Sequence, residues 1–328
     1  MRSAAPAAPT TADSEAGDGA VYLVTGADQP TLAADDRVLL QALTAAGVPA
    51  RVAVWTDPEV DWARASACVV RSVWDYHLHP ARFRAWVAAV GQVSTLLNPP
   101  ALMTWNMHKR YLSHFAAQGV PTIDTVWLTP GSRVDLAGLL TERGWREALV
   151  KPAVSASAWR TAKVNAWHRA GQHGTASGQR LVEEILEQTD ALVQPYLPSI
   201  ERDGEISVIA VAGELTHAAR RASALTGDIE DTRRGSAHSL SEKERGLAAE
   251  VLALLPTVPL YARVDLVRDE RGRLLLGELE LIEPALYLRH SRRAVQRLVT
   301  ELARHASTRV GQRQPQPDRR GLTTQIHR

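Results

Sequence analysis

Residues 261–284 read YARVDLVRDERGRLLLGELELIEP, two apolar runs joined by a short polar turn. Side chains alternate between the two faces of a β-strand, so Arg263 and Asp265 share one face of the first run. Glu278 and Glu280 share one face of the second run for the same reason. The opposite face of the second run is apolar and carries Leu275, Leu279 and Leu281.

The turn at residues 269–272 predicts that the two runs pair as an antiparallel hairpin. This pairing brings Asp265 toward Glu278 and Glu280. Three carboxylates at short range repel one another unless a cation neutralises them, and oxygen ligands without a nearby His or Cys suit magnesium or manganese. The alternative is a half-solvated strand whose outer face happens to be acidic.

The distribution of lysine is the second informative feature. The chain has 38 Lys and Arg residues, of which only four are lysines. Lys151 ends an apolar run and precedes the small residues 153–158, where a compact ammonium and a close backbone suit a phosphate. Lys109 is predicted in the first turn of a helix over residues 106–118. For each lysine the alternative is an ordinary surface position.

Composition restricts the class of protein. The 328 residues are 45% hydrophobic with a net charge of +2, so the chain can form two or three subdomain cores and has no basic patch for nucleic acid. Cys68 is the single cysteine, which excludes an intramolecular disulfide. It lies in a buried-strand pattern. No run approaches a membrane span, and the N-terminus lacks a signal-peptide core. We expect a cytoplasmic protein.

The first hundred residues predict a small, mainly parallel α/β domain. Predicted strands at 21–24, 52–55 and 67–73 alternate with helices at 35–46 and 80–90. Ligands bind at the carboxyl ends of such strands, so Arg71 and Asp75 are candidate substrate residues. The alternative is that they form a structural ion pair.

The later half predicts a nucleotide site. Strands are expected at 148–152 and 191–197, with a break at Pro195, and again at 205–211. Backbone groups left free at that break can read the edge of an adenine. Glu205 follows after a short connector and could accept two ribose hydroxyls. Its alternative is a surface acid at the start of a strand.

The order of these pieces resembles the ATP-grasp enzymes. The motifs that carry the resemblance are Asn106…Lys109-Arg-Tyr-Leu, Val150-Lys-Pro…Ser155-Ala, Leu192-Val-Gln-Pro-Tyr, Gly204-Glu-Ile-Ser, Arg263-Val-Asp-Leu and Glu278-Leu-Glu. The runs at 71–76 and 278–284 point to the group of D-cycloserine biosynthesis cyclo-ligases, which act on O-ureido-D-serine. That group is related to D-alanine–D-alanine ligase and glutathione synthetase.

The resemblance implies an α/β ATP-grasp fold of three subdomains, with ATP between the middle and C-terminal ones. The expected divisions are a disordered tail at 1–20, a parallel α/β domain at 21–100, a lid at 101–192, a C-terminal subdomain at 193–306 and a second tail at 307–328.

The resemblance also implies roles for individual residues. Lys109, Lys151 and Ser155 would contact ATP phosphates; Gln194, Tyr196 and Leu197 would meet adenine, and Glu205 the ribose. Asp265, Glu278 and Glu280 would hold Mg²⁺, with Mn²⁺ as a substitute, and Arg263 would stabilise charge on the reacting carboxylate.

The activity implied is ADP-forming carboxylate–amine ligation through an acyl phosphate, which agrees with the absence of a nucleophilic triad from the sequence pattern. The expected partner is a small amino-acid-like substrate, neither a nucleic acid nor a membrane, with a homodimer as one option for assembly. Ring closure and joining of two molecules stay open.

Three departures from the family pattern concern the substrate and phosphate loops. Residues 227–230 read GDIE where an arginine is expected, and Arg220, Arg233 or Arg234 could compensate. His108 replaces an acid, and Ser157 stands where glycine is common. These departures keep a second hypothesis open, a nucleotide-binding partner protein without ligase activity.

Overall fold

The structure, a computed structural model, describes residues 19–166, 174–222 and 235–310, the last four of these without their side chains. Its strands are β1 Val21–Thr25, β2 Ala50–Val54, β3 Ala67–Ser72, β4 Leu96–Leu97, β5 Val126–Leu128, β6 Glu147–Pro152, β7 Ala162–Asn165, β8 Ala191–Pro195, β9 Glu205–Val211, β10 Glu214–Arg221, β11 Ser236–His238, β12 Tyr261–Arg268 and β13 Leu274–Glu280. Its α-helices are α1 Ala34–Ala45, α2 Pro80–Val93, α3 Pro100–Asn106, α4 Tyr111–Ala117, α5 Leu136–Arg143, α6 Thr175–Leu186, α7 Pro198–Asp203, α8 Glu242–Ala253 and α9 Arg292–Val310.

The N-terminal part is a parallel sheet in the order β2-β1-β3-β4. Successive residues of β1 enter different cores, as the alternation of a buried strand requires. Tyr22 and Val24 pack with α2, whereas Val21 and Leu23 pack with α1 and α9. The predicted parallel α/β arrangement is therefore confirmed.

The middle part is an antiparallel sheet in the order β5-β8-β6-β7. Helices α5 and α6 cover one face, where Leu136 and Val182 are fully buried beside Val150. Strand β7 is not among the strands predicted from the sequence.

The C-terminal part is an antiparallel sheet in the order β11-β10-β9-β12-β13. One face is apolar and includes Val208, Val264 and Leu276, which pack with residues of α4 and α8. Ser207 and Arg263 project from the other face, which is polar where it borders the site described below. Elsewhere on this face Ile209, Val211 and Tyr261 pack in the core with α1 and α9.

β12 and β13 pair as the predicted antiparallel hairpin, and its register puts Arg263 opposite Glu280 and Asp265 opposite Glu278. A β-bulge then shifts the register, so that Leu266 lies opposite Leu276. The bulge reverses the alternation before Gly277, so Leu276 joins Leu279 in the main core, and Leu275 belongs to a separate small cluster. The prediction that Leu275 shares the face of Leu279 was wrong for this reason.

The predicted helix over 106–118 is instead two short helices, α3 and α4, with Lys109 in the turn between them. The backbone N–H of Lys109 donates to the Ala153 carbonyl at 2.8 Å, so the turn is fixed by a tertiary contact. Asn106, the last residue of α3, attaches this helix to the backbone at β13. Its side-chain amide donates to Leu279 O at 2.9 Å and accepts from the Leu281 N–H at 2.8 Å. Both contacts position the turn beside the acidic strand.

Two predictions concern the ends of the chain. The expected tails fall largely on residues 1–18 and 311–328, which lie outside the described residues. Across the described ranges, no helix is both long and apolar enough to cross a membrane. The cytoplasmic location and the subdomain boundaries stay predictions.

Candidate active site

A cavity lies where the three sheets meet. Trp74 and Tyr76 reach it from the segment after β3, Lys151 and Gln194 from the middle sheet, and the C-terminal sheet supplies the acidic wall. The cavity therefore gathers most of the residues that the sequence analysis selected.

Asp265, Glu278 and Glu280 offer carboxylate oxygens that all lie within 4.8 Å of one another. The predicted cluster is therefore present. Asp265 is fully buried, and it accepts hydrogen bonds from Ser207 Oγ at 2.7 Å and Arg221 Nη2 at 2.9 Å as well as from Arg263. These donors lower the pKa of Asp265 although burial alone would raise it.

Arg263 holds two members of this cluster together. Its Nε and Nη2 atoms each lie 2.9 Å from an oxygen of Asp265, and Nη2 also pairs with Glu280. This forked geometry is available to a guanidinium and not to an ammonium. Arg263 lines the cavity, so its position is compatible with the predicted contact to a reacting carboxylate.

Arg221, which the sequence analysis missed, bridges the acidic cluster to Glu205. Its Nη2 atom lies 2.8 Å from Glu205 and 2.9 Å from Asp265. The predicted residue Arg220 does not line the cavity; it donates to the Asp203 carbonyl instead. Adjacent strand residues face opposite sides, so only one of these two arginines can reach the site.

Lys109 lies at the centre of the cavity wall. Its ammonium donates to Glu278 and, at 3.2 Å, to the carbonyl of Ser155. Ser155 also lines the cavity, and its hydroxyl donates to Pro152 O at 3.2 Å. The lysine thereby connects the acidic strand to the small-residue loop.

The ammonium of Lys151, unlike that of Lys109, has no hydrogen-bond or ion-pair partner within the described chain. Burial lowers the pKa of its ammonium, and Glu278 opposes that change. An unpaired cation that faces a cavity is a ready binding site for an anion.

The small-residue loop after β6 takes a glycine-like backbone. Ser157 and Ala158, which line the cavity, have φ angles of 50° and 55°, and Arg160 has 50°. This left-handed conformation costs roughly 1–2 kcal/mol for a residue with a side chain. Ser157 therefore has the left-handed backbone conformation that glycine adopts more readily at such a position.

Of the three residues predicted to contact adenine, two line the cavity. Gln194 and Tyr196 line the cavity, but Leu197 packs with Ile123 and Val267 in a small core cluster. The Tyr196 N–H donates to Glu147 O at 2.9 Å, so this group is not free to read a base. The Gln194 amide donates to Thr125 Oγ1 at 2.9 Å.

Arg71 and Asp75 lie outside the cavity lining. Arg71 is 1% exposed, lies 2.9 Å from Asp36 and donates to Pro284 O at 2.7 Å. Asp75 accepts from Trp55 Nε1 at 2.9 Å. The predicted substrate role for Arg71 conflicts with this burial, and the alternative pair of Arg71 with Asp75 is also wrong.

The donor set is suited to a hard divalent cation. Glu278 and Glu280 each use only one of their carboxylate oxygens in hydrogen bonds among the described residues, so a second oxygen of each can bind a metal ion. Burial raises the pKa of Glu280 to about 7, the charges of Asp265 and Glu278 add to the increase, and Arg263 opposes it. A metal cation at this position would relieve the repulsion.

The loop with the unusual acids, residues 227–230, lies outside the described part of the chain, as do Arg233 and Arg234. Glu283 is a second cavity residue that the sequence analysis did not select. It is 7% exposed and follows the acidic strand.

The sequence and fold match known proteins. A family model described as D-cycloserine synthetase DcsG, N-terminal domain, matches residues 21–98. The cycloserine biosynthesis protein DcsG of Streptomyces lavendulae is 32% identical over 298 residues, which cover 87% of this chain and 98% of that protein.

Two solved structures have the same fold. The crystal structure of D-cycloserine synthetase DcsG has a TM-score of 0.77 and 31% identity, and the match covers 87% of this chain and 99% of that one. The ATP-grasp ligase PsnB, complexed with a minimal precursor, Mg and ADP, has a TM-score of 0.58 and 16% identity. That match covers 88% of this chain and 99% of PsnB, and at this identity it shows the fold alone.

Proposed function

Because the chain belongs to the D-cycloserine synthetase family of ATP-grasp ligases, we propose that it activates a small amino-acid-like carboxylate with ATP and joins it to an amine. The observation that carries the proposal is the interleaving of acidic and basic side chains in one cavity. Lys109 and Arg263 each pair there with a member of the acidic cluster.

The proposed reaction has two steps. An oxygen of the substrate carboxylate attacks the γ-phosphorus of ATP, and ADP leaves with the electrons of the broken P–O bond. A nitrogen then attacks the acyl phosphate, phosphate leaves, and the nitrogen loses its proton to solvent. Both steps need positioning and charge neutralisation more than a protein nucleophile.

The residues of the cavity are suited to positioning the reactants and neutralising their charge. Lys151 and Lys109 would bind phosphate oxygens, and Glu205 with Gln194 and Tyr196 would contact the nucleoside. Arg263 would stabilise negative charge on the substrate carboxylate as it reacts. Asp265, Glu278 and Glu280 would hold Mg²⁺, which neutralises phosphate charge when bound.

Ring closure is the version that the name of the relative favours, because cycloserine is cyclic. In that case one substrate, such as O-ureido-D-serine, supplies both the carboxylate and the attacking nitrogen. The alternative of a nucleotide-binding partner protein rests on residues 227–230, outside the described chain, and it predicts ATP binding without turnover.

The acyl phosphate is tested by isotope transfer. With substrate labelled with ¹⁸O in its carboxylate, one ¹⁸O atom is expected to appear in the released phosphate, as measured by mass spectrometry. Unlabelled phosphate at the same turnover would exclude direct phosphorylation of the carboxylate.

Replacing Lys151 with methionine is expected to weaken Mg·ATP binding by about 10- to 100-fold, because a charge-assisted contact to phosphate is lost. The same change should leave the unfolding free energy of the free protein unchanged or higher, because an unpaired, partly buried cation is removed. Calorimetric titration and urea unfolding measure the two effects.

The matched control is Lys243→Met, because Lys243 is exposed in the first turn of α8. Equal affinities for ATP in the two variants would contradict the role assigned to Lys151.

A further inference from the structure

The charged residues that line the cavity are almost all paired. Lys109 pairs with Glu278, Arg221 with Glu205, and Arg263 with Glu280. In the described part of the cavity, this leaves one cation and one acid without an opposite charge, Lys151 and Glu283.

These two unpaired groups belong to different parts of the cavity. The charges that act most strongly on Glu283 are those of Glu280, Lys109 and Arg263. Lys151 responds instead to Glu278, Lys109, Glu205 and Arg221. The cavity therefore offers a cation toward the proposed ribose and phosphate region and an acid toward Arg263.

The surroundings of Glu283 are those of a binding group and not of a structural one. Glu283 is more than nine-tenths buried, and its carboxylate has no side-chain hydrogen-bond or ion-pair partner among the described residues. Trp74 fixes the main chain by donating from Nε1 to Glu283 O at 3.2 Å. The backbone is thus held while the side chain is left for a ligand.

The wall beside Glu283 is aromatic. Trp74 and Tyr76 both line the cavity, and Glu283 is the charge that contributes most to the raised pKa of the Tyr76 phenol after burial. Aromatic faces next to a carboxylate stabilise a bound cation. Arg263 faces the same region, because its Nη1 donates at 3.4 Å to the carbonyl of Ala285, two residues after Glu283.

We propose that Glu283 binds the ammonium group of the substrate while Arg263 faces its carboxylate, which makes Glu283 a specificity-determining residue for a free amino acid. The inference rests on the proposed function, since it takes the cavity to bind the acyl substrate. Burial and the charge of Glu280 raise the pKa of Glu283 well above its ordinary range, and a bound ammonium would offset both.

The test compares each amino acid with its N-acetyl derivative, which keeps the carboxylate and lacks the ammonium. The probes are O-ureido-D-serine, D-serine and L-serine. Binding is measured by calorimetric titration in the presence of Mg and a non-hydrolysable ATP analogue, so the result does not depend on turnover.

The wild-type protein is expected to bind at least one free amino acid about 10- to 100-fold more tightly than its N-acetyl derivative. Glu283→Gln should remove this preference by weakening only the free amino acid, with affinity for the N-acetyl derivative within about threefold of wild type. Glu250→Gln, on the exposed face of α8, is the matched control and should keep the preference. Should Glu283→Gln fail to fold, Glu283→Asp keeps the charge and should retain a reduced preference.

The inference is overturned if the wild type binds no free amino acid of the panel, or binds both members of each pair equally. It is also overturned if Glu283→Gln weakens both members equally, as a merely structural residue would. Failure of the proposed function is a separate result, the absence of ADP release with substrates that bind.

Discussion

Replacing Arg263 with lysine is expected to lower kcat by about 10²- to 10³-fold, as for the loss of one preorganised donor in an active site. Arg263 contacts both oxygens of Asp265 and also Glu280. Lysine retains the charge but not the planar fork, so it cannot hold both acids and face a reacting carboxylate at once. Steady-state ADP release measures the effect.

The control for this variant is Arg268→Lys, because Arg268 lies at the end of the same strand and pairs with Glu244 outside the cavity. Its kcat should stay near the wild-type value. A lysine variant at 263 with unchanged kcat would remove Arg263 from the catalytic account.

Replacing Arg71 with methionine should lower the free energy of unfolding by about 3–5 kcal/mol, because Asp36 would be left buried without its partner. Asp36 is 2% exposed, and among the described residues the hydroxyl of Ser72, at 2.6 Å, is its only side-chain donor besides Arg71. The guanidinium also lies 4.7 Å above the ring of Tyr261. Urea unfolding measures the loss.

The double variant Asp36→Leu/Arg71→Met should recover part of that stability, since it removes both buried charges together. A different result is expected if Arg71 contacts substrate. In that case KM would rise while the unfolding free energy stayed within about 1 kcal/mol of the wild type.

Local patterns predicted the centre of the site because it is built on one hairpin. The alternation of residues and the short turn predicted the pairing of β12 with β13. The register next to the turn, with Leu266 opposite Leu276, would put Asp265 opposite Gly277 if it continued, and the bulge puts Asp265 opposite Glu278 instead. The distribution of lysine singled out Lys109 and Lys151, and the family resemblance added Ser155; the fold brings all three to the same cavity. The resemblance to the ATP-grasp fold is confirmed by the comparisons.

Irregularities of register explain two errors of side-chain placement, those of Arg220 and Leu275. The β9–β10 hairpin begins with Val211 opposite Glu214, and continued without a break this register would put Glu205 opposite Arg220. A shift between Leu215 and His217 puts Glu205 opposite Arg221 instead. The bulge at Gly277 displaced Leu275 in the same way. Gly277 is a sequence signal for the second shift, since a glycine inside a strand often marks a bulge, whereas β9 and β10 contain no glycine.

The remaining errors come from contacts between distant segments. Arg71 and Asp36 are 35 residues apart and meet only once α1 packs beside β3. Lys109 lies in a turn and not in the predicted helix, because its N–H donates to the carbonyl of Ala153. Local helix propensity does not predict such a contact. Glu283 was overlooked because the feature that distinguishes it is the lack of a charged partner among the described residues, which is visible only after the other charges are paired.

The central claim is that this cavity couples ATP cleavage to a carboxylate substrate, and it is tested most directly by substrate-dependent ADP and phosphate release. Wild-type protein with Mg·ATP is given a panel of amino acids and O-substituted serines, with EDTA and Arg263→Lys as controls. We predict that at least one panel member stimulates equal release of ADP and phosphate, which EDTA abolishes and the lysine variant reduces. Binding of a panel member together with Mg·ATP, without release of ADP above the background, would contradict a ligase and favour a nucleotide-binding partner protein.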